Sequence, residues 1–331
     1  MIFQNIDFHN VAELVPHEDG WRMHRVPEHV RLGCDEGLRT ISSAYSTGVE
    51  LRFCLLGDHA DIHLRTLPLP EGQMAYLYYG SIQGGWECSS FVIGKERTTI
   101  RVSRPRNMAQ LQEITDDAHL PFSPQVCRLV LPYGNTVFLG VDGDITPPTP
   151  DMLPKEALLC YGSSITHGSL ALATPCTYPF RMAQKLGMDT INMGFAGTCH
   201  CEKAMAEWLV SREDWHVATL EIGINMMGMT EAEFERQVDD FTAIMAADGR
   251  PVFATSIFHF HGDHYGSGQE KARRYRDIVR KYAEPRMHFT DGLALLERSD
   301  FITQDMVHPS LEGIIQITDR WTEILRRELK R

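Results

Sequence analysis

Apolar and polar residues alternate with a period of two at 49–53 and again at 60–65, the pattern of half-buried strands. Short β-branched or aromatic runs follow at 75–79, 91–93, 99–102, 126–131 and 136–139. Gly57, Pro68, Pro70, Gly84, Gly85, Gly94 and Gly134 punctuate them. Many short strands with turn residues between them, and no long amphipathic helix, predict an all-β sandwich of the jelly-roll kind over residues 1–147. Pro147, Pro148 and Pro150 then fall within four residues. They can continue neither a ladder nor a helix, so 148–156 reads as an extended linker.

From residue 157 the pattern changes to apolar runs alternating with helical periodicity. Strands are expected at 157–161, 190–193, 217–222, 252–257 and 287–290. Helices are expected at 178–186, 202–210, 230–247 and 270–283, with a last one opened by Pro309. Thr230 with Glu233 three residues on forms a capping box. In the final helix Leu311, Ile314, Ile315, Thr318, Trp321, Leu325 and Leu329 make one stripe. Five strands alternating with helices predict an α/β domain over 157–331, a doubly wound, three-layer parallel sheet.

Composition narrows the class. The chain has 331 residues, 43% of them hydrophobic and 23% charged, as in globular proteins with ordinary cores. Its formal net charge of −12 disfavours a sequence-independent grip on nucleic acid or on an anionic membrane surface. No basic stretch followed by an apolar one opens the chain, and no run is long enough to span a bilayer. A cytoplasmic location is the expectation. The eight cysteines are scattered and read as free, mostly buried thiols.

In a doubly wound sheet, ligands sit outside the carboxyl ends of the strands. The residues following those ends are therefore the candidate chemistry. Leu158-Leu159-Cys160-Tyr161-Gly162-Ser163-Ser164 runs from the first strand into a small-residue turn that ends on Ser164. Gly197 follows the second strand, Asn225 the third, and Asp305 and His308 precede the last helix. A serine hydroxyl needs a base to become a nucleophile. His308 supplies the base and Asp305 an orienting carboxylate. The Ser164 and Gly197 amides and the Asn225 side chain are candidate oxyanion donors. Glu221 closes a buried strand and reads as paired in the core or beside the site.

Two stretches invite a metal reading. His259, His261, Asp263 and His264 fall within six residues, but they follow the fourth strand on the Ser164 edge. His259, His261 and also Tyr161 are therefore taken as substrate-lining residues. Cys199-His200-Cys201 lacks a second cysteine pair and reads as pocket rim. Neither a metal nor an organic cofactor is expected. Tyr76, Tyr78, Tyr79 and Trp86 read as sandwich core, with a sugar-stacking face as the alternative.

Taken together, Gly-x-Ser-x-Thr at Gly162, Ser164 and Thr166, Asn-x-Gly-x-x-Gly ending on Gly197, Gly-x-Asn ending on Asn225, and Asp-x-x-His-Pro at Asp305 and His308 resemble the blocks of the SGNH (GDSL-type) hydrolase superfamily. Ser163 stands where the family usually carries aspartate. A subgroup whose first block reads Tyr-Gly-Ser-Ser-Ile-Thr, matched here at 161–166, resembles carbohydrate O-acetyl esterases with an N-terminal jelly roll. The resemblance implies a flavodoxin-like five-stranded catalytic domain and a serine esterase acting through an acyl-enzyme. Its substrate would be a short-chain, most simply acetyl, ester on a small molecule or oligosaccharide. A short-chain lipase, thioesterase or arylesterase is the alternative within the class, and an inactive carbohydrate-binding module the alternative outside it. Homo-oligomerisation is left open.

Overall fold

The computed structural model describes residues 1–67, 73–264 and 267–330; Pro68 and Pro70, read above as turn residues, lie outside them. In the N-terminal domain the strands gather around one 17-residue strand, Glu50–Thr66. The alternating runs at 49–53 and 60–65 are the two halves of this single strand rather than two strands. Leu51, Phe53 and Leu55 face the core in the first half, and Ala60, Ile62 and Leu64 in the second. The core-facing parity thus changes across residues 56–59. The partner strand Thr136–Thr146 carries matching register shifts, as expected where an extra residue bends a ladder. The first half pairs with Ile6–His9 and Val126–Val130, the second with Thr98–Ser103, all antiparallel. Both halves therefore pour side chains into one apolar core, and the sheet folds over on itself as a sandwich.

This domain also holds a helix, Met108–Asp117, which the apolar pattern did not announce. Only Leu111 and Thr115 are buried along it. A stripe one residue wide leaves almost no periodic signal.

The C-terminal domain has five parallel strands: β1 Ala157–Gly162, β2 Asp189–Gly194, β3 Val217–Glu221, β4 Val252–Thr255 and β5 His288–Thr290. Their order is β2-β1-β3-β4-β5. The helices that position the site and cover the sheet are α1 Ser164–His167, α2 Tyr178–Leu186, α3 Lys203–Ser211, α4 Glu231–Ala247, α5 Ser267–Ala283 and α6 Leu311–Leu329, with one further short turn of helix at Gly292–Leu295. Alternation along β1 explains the three layers. Leu159 and Tyr161 point into the core made with α3, α4 and α5. Leu158 and Cys160 point into the one made with α2 and α6. Helix α6 starts at Leu311, capped by Ser310, whose Oγ accepts from Gly313 N. Pro309 instead bridges back to Ile302. The strand order reverses between β1 and β3, and a crevice opens there at the carboxyl ends.

Two buried arginines bind the domains together. Arg25 is fully buried, and its guanidinium donates to the carbonyls of Ser42, Tyr45, Asn192 and Gly194. The last two belong to β2. Arg52, on the long N-terminal strand, pairs bidentately with Asp189 at the start of β2 at 2.6 and 2.7 Å and donates to Glu50 at 2.8 Å. Burial favours discharging both carboxyls, but the Arg52 and Arg128 guanidinium groups reverse this and hold Glu50 and Asp189 below the usual carboxylate range. Arg52→Ala would strand the buried Asp189 carboxylate, while Arg128 still donates to Glu50 at 2.6 and 2.8 Å. It is expected to cost about 3–5 kcal/mol in denaturant unfolding; a change under about 1 kcal/mol would show the pair to be dispensable.

Candidate active site

The site is assembled where four chain segments leave the sheet. β1 ends at Gly162, and Ser163 caps the single turn of α1, its Oγ accepting from Ile165 N at 3.1 Å. Ser164 is the first residue of that turn. Its hydroxyl lies 2.8 Å from His308 Nε2. His308 Nδ1 lies 2.6 Å from Asp305 Oδ2. With Nδ1–H donating to the carboxylate, Nε2 is left to accept the serine proton. Asp305 Oδ1 accepts from the backbone N–H groups of Val307 and His308 and from the Thr303 hydroxyl. Burial pushes the Asp305 carboxyl up, but the bonds from His308, Val307 and Thr303 outweigh it and hold the group well below the usual carboxylate range.

For a carboxylate lowered in this way, the associated stability is present above its unfolded pKa and is lost only as pH falls through the lowered folded value. Asp305 therefore stays charged across about pH 4–9 and adds no ionisation to kcat/KM there. The acid side of a log kcat/KM profile is expected to show a slope of one; a slope of two would contradict this.

The second and third segments face the same point. Gly197, at φ +74, lines the cavity beside Ser164. That left-handed backbone suits glycine. Asn225 lines the same cavity, and its Oδ1 accepts from Cys199 N at 3.2 Å. This fixes the amide so that its NH₂ is left for the cavity. Ser164, Gly197 and Asn225, the residues expected to supply oxyanion donors, thus line one cavity.

A buried network beneath Ser164 was not legible as such. Glu221, at the end of β3, is 2% exposed. It accepts from Ser163 N at 2.7 Å, from Ser163 Oγ at 2.7 and 2.8 Å, and from Thr166 Oγ1 at 2.8 Å. Tyr178 OH joins Thr166 Oγ1 at 2.6 Å. Burial raises the Glu221 pKa, and the bonds from Ser163 and Thr166 only partly offset it. The acid usual beside the nucleophile thus has a counterpart one strand away. Asn192, in the second block, donates to Thr166 O at 2.9 Å and accepts from Gly194 N, latching α1 to β2.

Two of the three expected lining residues, Tyr161 and His259, lie elsewhere. Tyr161 is fully buried, stacked on Phe241 at 4.8 Å, and its OH accepts from Cys201 N. It points into the α4 side of the sheet because side chains alternate along a strand. His259 is also buried, with Nε2 3.0 Å from His264 Nε2 and Nδ1 3.4 Å from Asp263. Of the two histidines only His261 lines the cavity at Ser164. Cys199 and Cys201 are 1% exposed and belong to the core rather than the rim. Asp263 is engaged by Arg276 from both oxygens. Among the described residues no three His, Cys, Asp or Glu side chains are grouped to hold a metal ion. Tyr78 and Tyr79 are core, Tyr76 is half-buried, and Trp86 is fully exposed. Among the described residues no helix is long and apolar enough to cross a membrane.

A serine hydroxyl on an imidazole on a carboxylate, set at the switch point of a doubly wound sheet, defines the class of serine-type acyl hydrolases. Residues 160–313 match the model of the GDSL-like lipase/acylhydrolase family. No curated protein matches the chain. Solved structures resemble it across both domains. A salicylyl-acyltransferase, SsfX3, from a tetracycline biosynthetic pathway is 16% identical, with 98% of this chain and 94% of that one covered and a TM-score of 0.74. A protein described as a GDSL-like lipase from Bacteroides ovatus is 18% identical, with 99% and 96% covered and a TM-score of 0.70. A family two carbohydrate esterase from Cellvibrio japonicus is 11% identical, with 98% and 95% covered and a TM-score of 0.61. At these identities the likeness is one of fold.

Proposed function

We propose that the chain is a serine esterase that hydrolyses short-chain acyl esters, acetyl foremost, carried on a sugar or oligosaccharide. The observation that carries the reading is the unbroken relay from Ser164 Oγ to His308 Nε2 at 2.8 Å and from His308 Nδ1 to Asp305 at 2.6 Å. Ser164 Oγ attacks the ester carbonyl as His308 takes its proton. The carbonyl oxygen becomes an oxyanion held by Ser164 N, Gly197 N and the Asn225 amide. His308 then returns the proton to the departing alcohol, leaving an acyl-Ser164 ester. Water, deprotonated by His308, attacks this ester, and Ser164 recovers its proton as the acid leaves. Asp305 holds the imidazole and stabilises its charged form without taking the proton.

The sugar ester rests on the first-block resemblance and on the fold shared with a carbohydrate esterase. A second reading, an ester of a bulkier or aromatic acid, is favoured by one feature. The cavity over Ser164 has about 650 Å³ and includes Ile224, Met227, Phe260 and Val307. Cavities of about 300–1,000 Å³ take drug-sized ligands, far more than an acetyl group. Acid release from acetylated xylo-oligosaccharides, set beside release from aryl and hexanoyl esters, decides between them. Faster release from the acetylated sugar supports the first reading; preference for the bulkier acyl group overturns it in favour of the second.

A further inference from the structure

Two cavities meet at His308 and Asp305, and they differ in which other site residues line them. The first, of about 650 Å³, is lined by Ser164, Gly197, Asn225 and His308 together with apolar side chains. The second, of about 490 Å³, lies between the domains. It reaches His308 and Asp305, but Ser164, Gly197 and Asn225 are not among its walls. Its walls are Gln73, Met74, Tyr76 and Tyr133 from the N-terminal domain and the 168–174 loop opposite. Tyr133 OH lies 2.8 Å from Ser169 Oγ across this cleft, so the two domains are joined beside it. Tyr133 also stacks on His167, with 4.3 Å between ring centres, which fixes its ring.

Acyl transfer constrains where each half of an ester can lie. The carbonyl oxygen must face the oxyanion donors, and the leaving oxygen must come within reach of His308 Nε2 to be protonated. A cavity that meets His308 without the oxyanion donors can hold the leaving side only. Resting on the hydrolase reading above, we propose that the interdomain cleft binds the alcohol half of the ester. The cavity over Gly197 and Asn225 then takes the acyl half, and the N-terminal domain selects the alcohol. The cleft sets the aromatic rings of Tyr76 and Tyr133 beside the Gln73 amide and the Thr47 and Ser169 hydroxyls. That mixture suits a cyclic polyol or glycoside, which offers C–H faces to rings and hydroxyls to polar groups.

The test uses full-length variants and two substrate ratios. The alcohol ratio is kcat/KM for tetra-acetylated methyl glucoside over that for methyl acetate. The acyl ratio is kcat/KM for p-nitrophenyl hexanoate over that for p-nitrophenyl acetate. Leu172 lines the cleft and is 73% exposed, so Leu172→Trp narrows the cleft with little risk to folding. It is expected to lower the alcohol ratio about tenfold while holding the acyl ratio within about twofold. Met227→Trp, in the other cavity, is expected to do the reverse, and Tyr76→Ala provides a second cleft variant. A Leu172→Trp change that falls on the acyl ratio, or on neither ratio, overturns the division. Wild-type protein that hydrolyses none of the four esters fails at the earlier step, the hydrolase reading itself.

Discussion

Ser164→Ala is expected to reduce hydrolysis of p-nitrophenyl acetate by about 10⁴-fold or more, with the fold intact. Ser164 lines the cavity, and its hydroxyl already sits 2.8 Å from the base. Removal of one member of such a relay costs nearly as much as removal of all, because the parts act as a unit. His308→Ala is expected to give a loss of similar size, and the double variant little more. The neighbour provides the control. Ser163 Oγ is committed to Glu221 and to Ile165 N, so it has no role as a substitute nucleophile. Single-variant activity within tenfold of wild type would sink the mechanism.

The second large effect is expected at Glu221, which touches no reacting atom. Its described partners are neutral N–H and O–H donors, two from Ser163 and one from Thr166. These residues bracket Ser164, so the carboxylate sets where the nucleophile lies. Four residues on, the same chain segment carries Asn225. One residue thus links the turn of the proposed nucleophile to the segment of the proposed oxyanion donor. Glu221→Gln puts an NH₂ among groups that already donate. Expected are a fall of about 10- to 100-fold in kcat, the scale of a misplacement of about 1 Å, and a loss of about 1–3 kcal/mol for each donor left unmatched. KM is expected to stay within about twofold, because the substrate-lining groups are untouched. Unchanged kcat with lowered stability would make Glu221 a fold residue only.

The parts legible in the sequence were those whose signal is local. Ser164, Gly197, Asn225 and His308 each sit in a short block of required residue types, and the strand-helix alternation after residue 157 placed those blocks on one edge. The Glu221 network was illegible because its partners lie 58 and 55 residues away, and no spacing rule links an acid at a strand end to a distant turn. Arg25 was hidden for the same reason: its partners are backbone carbonyls, which any residue supplies. Tyr161 and His259 were misassigned because nearness in sequence to a catalytic block says nothing about side-chain direction, which alternates in extended chain. The bent strand Glu50–Thr66 read as two because its parity changes midway.

The proposed nucleophile is Ser164, activated by His308. Its most direct test is labelling of full-length protein with ethyl p-nitrophenyl methylphosphonate, followed by peptide mass mapping. One adduct per chain is expected, on Ser164, formed at the rate at which esterase activity is lost. His308→Ala should slow this labelling by orders of magnitude. An adduct on Ser163 or another residue, or loss of activity with Ser164 unmodified, would contradict this assignment.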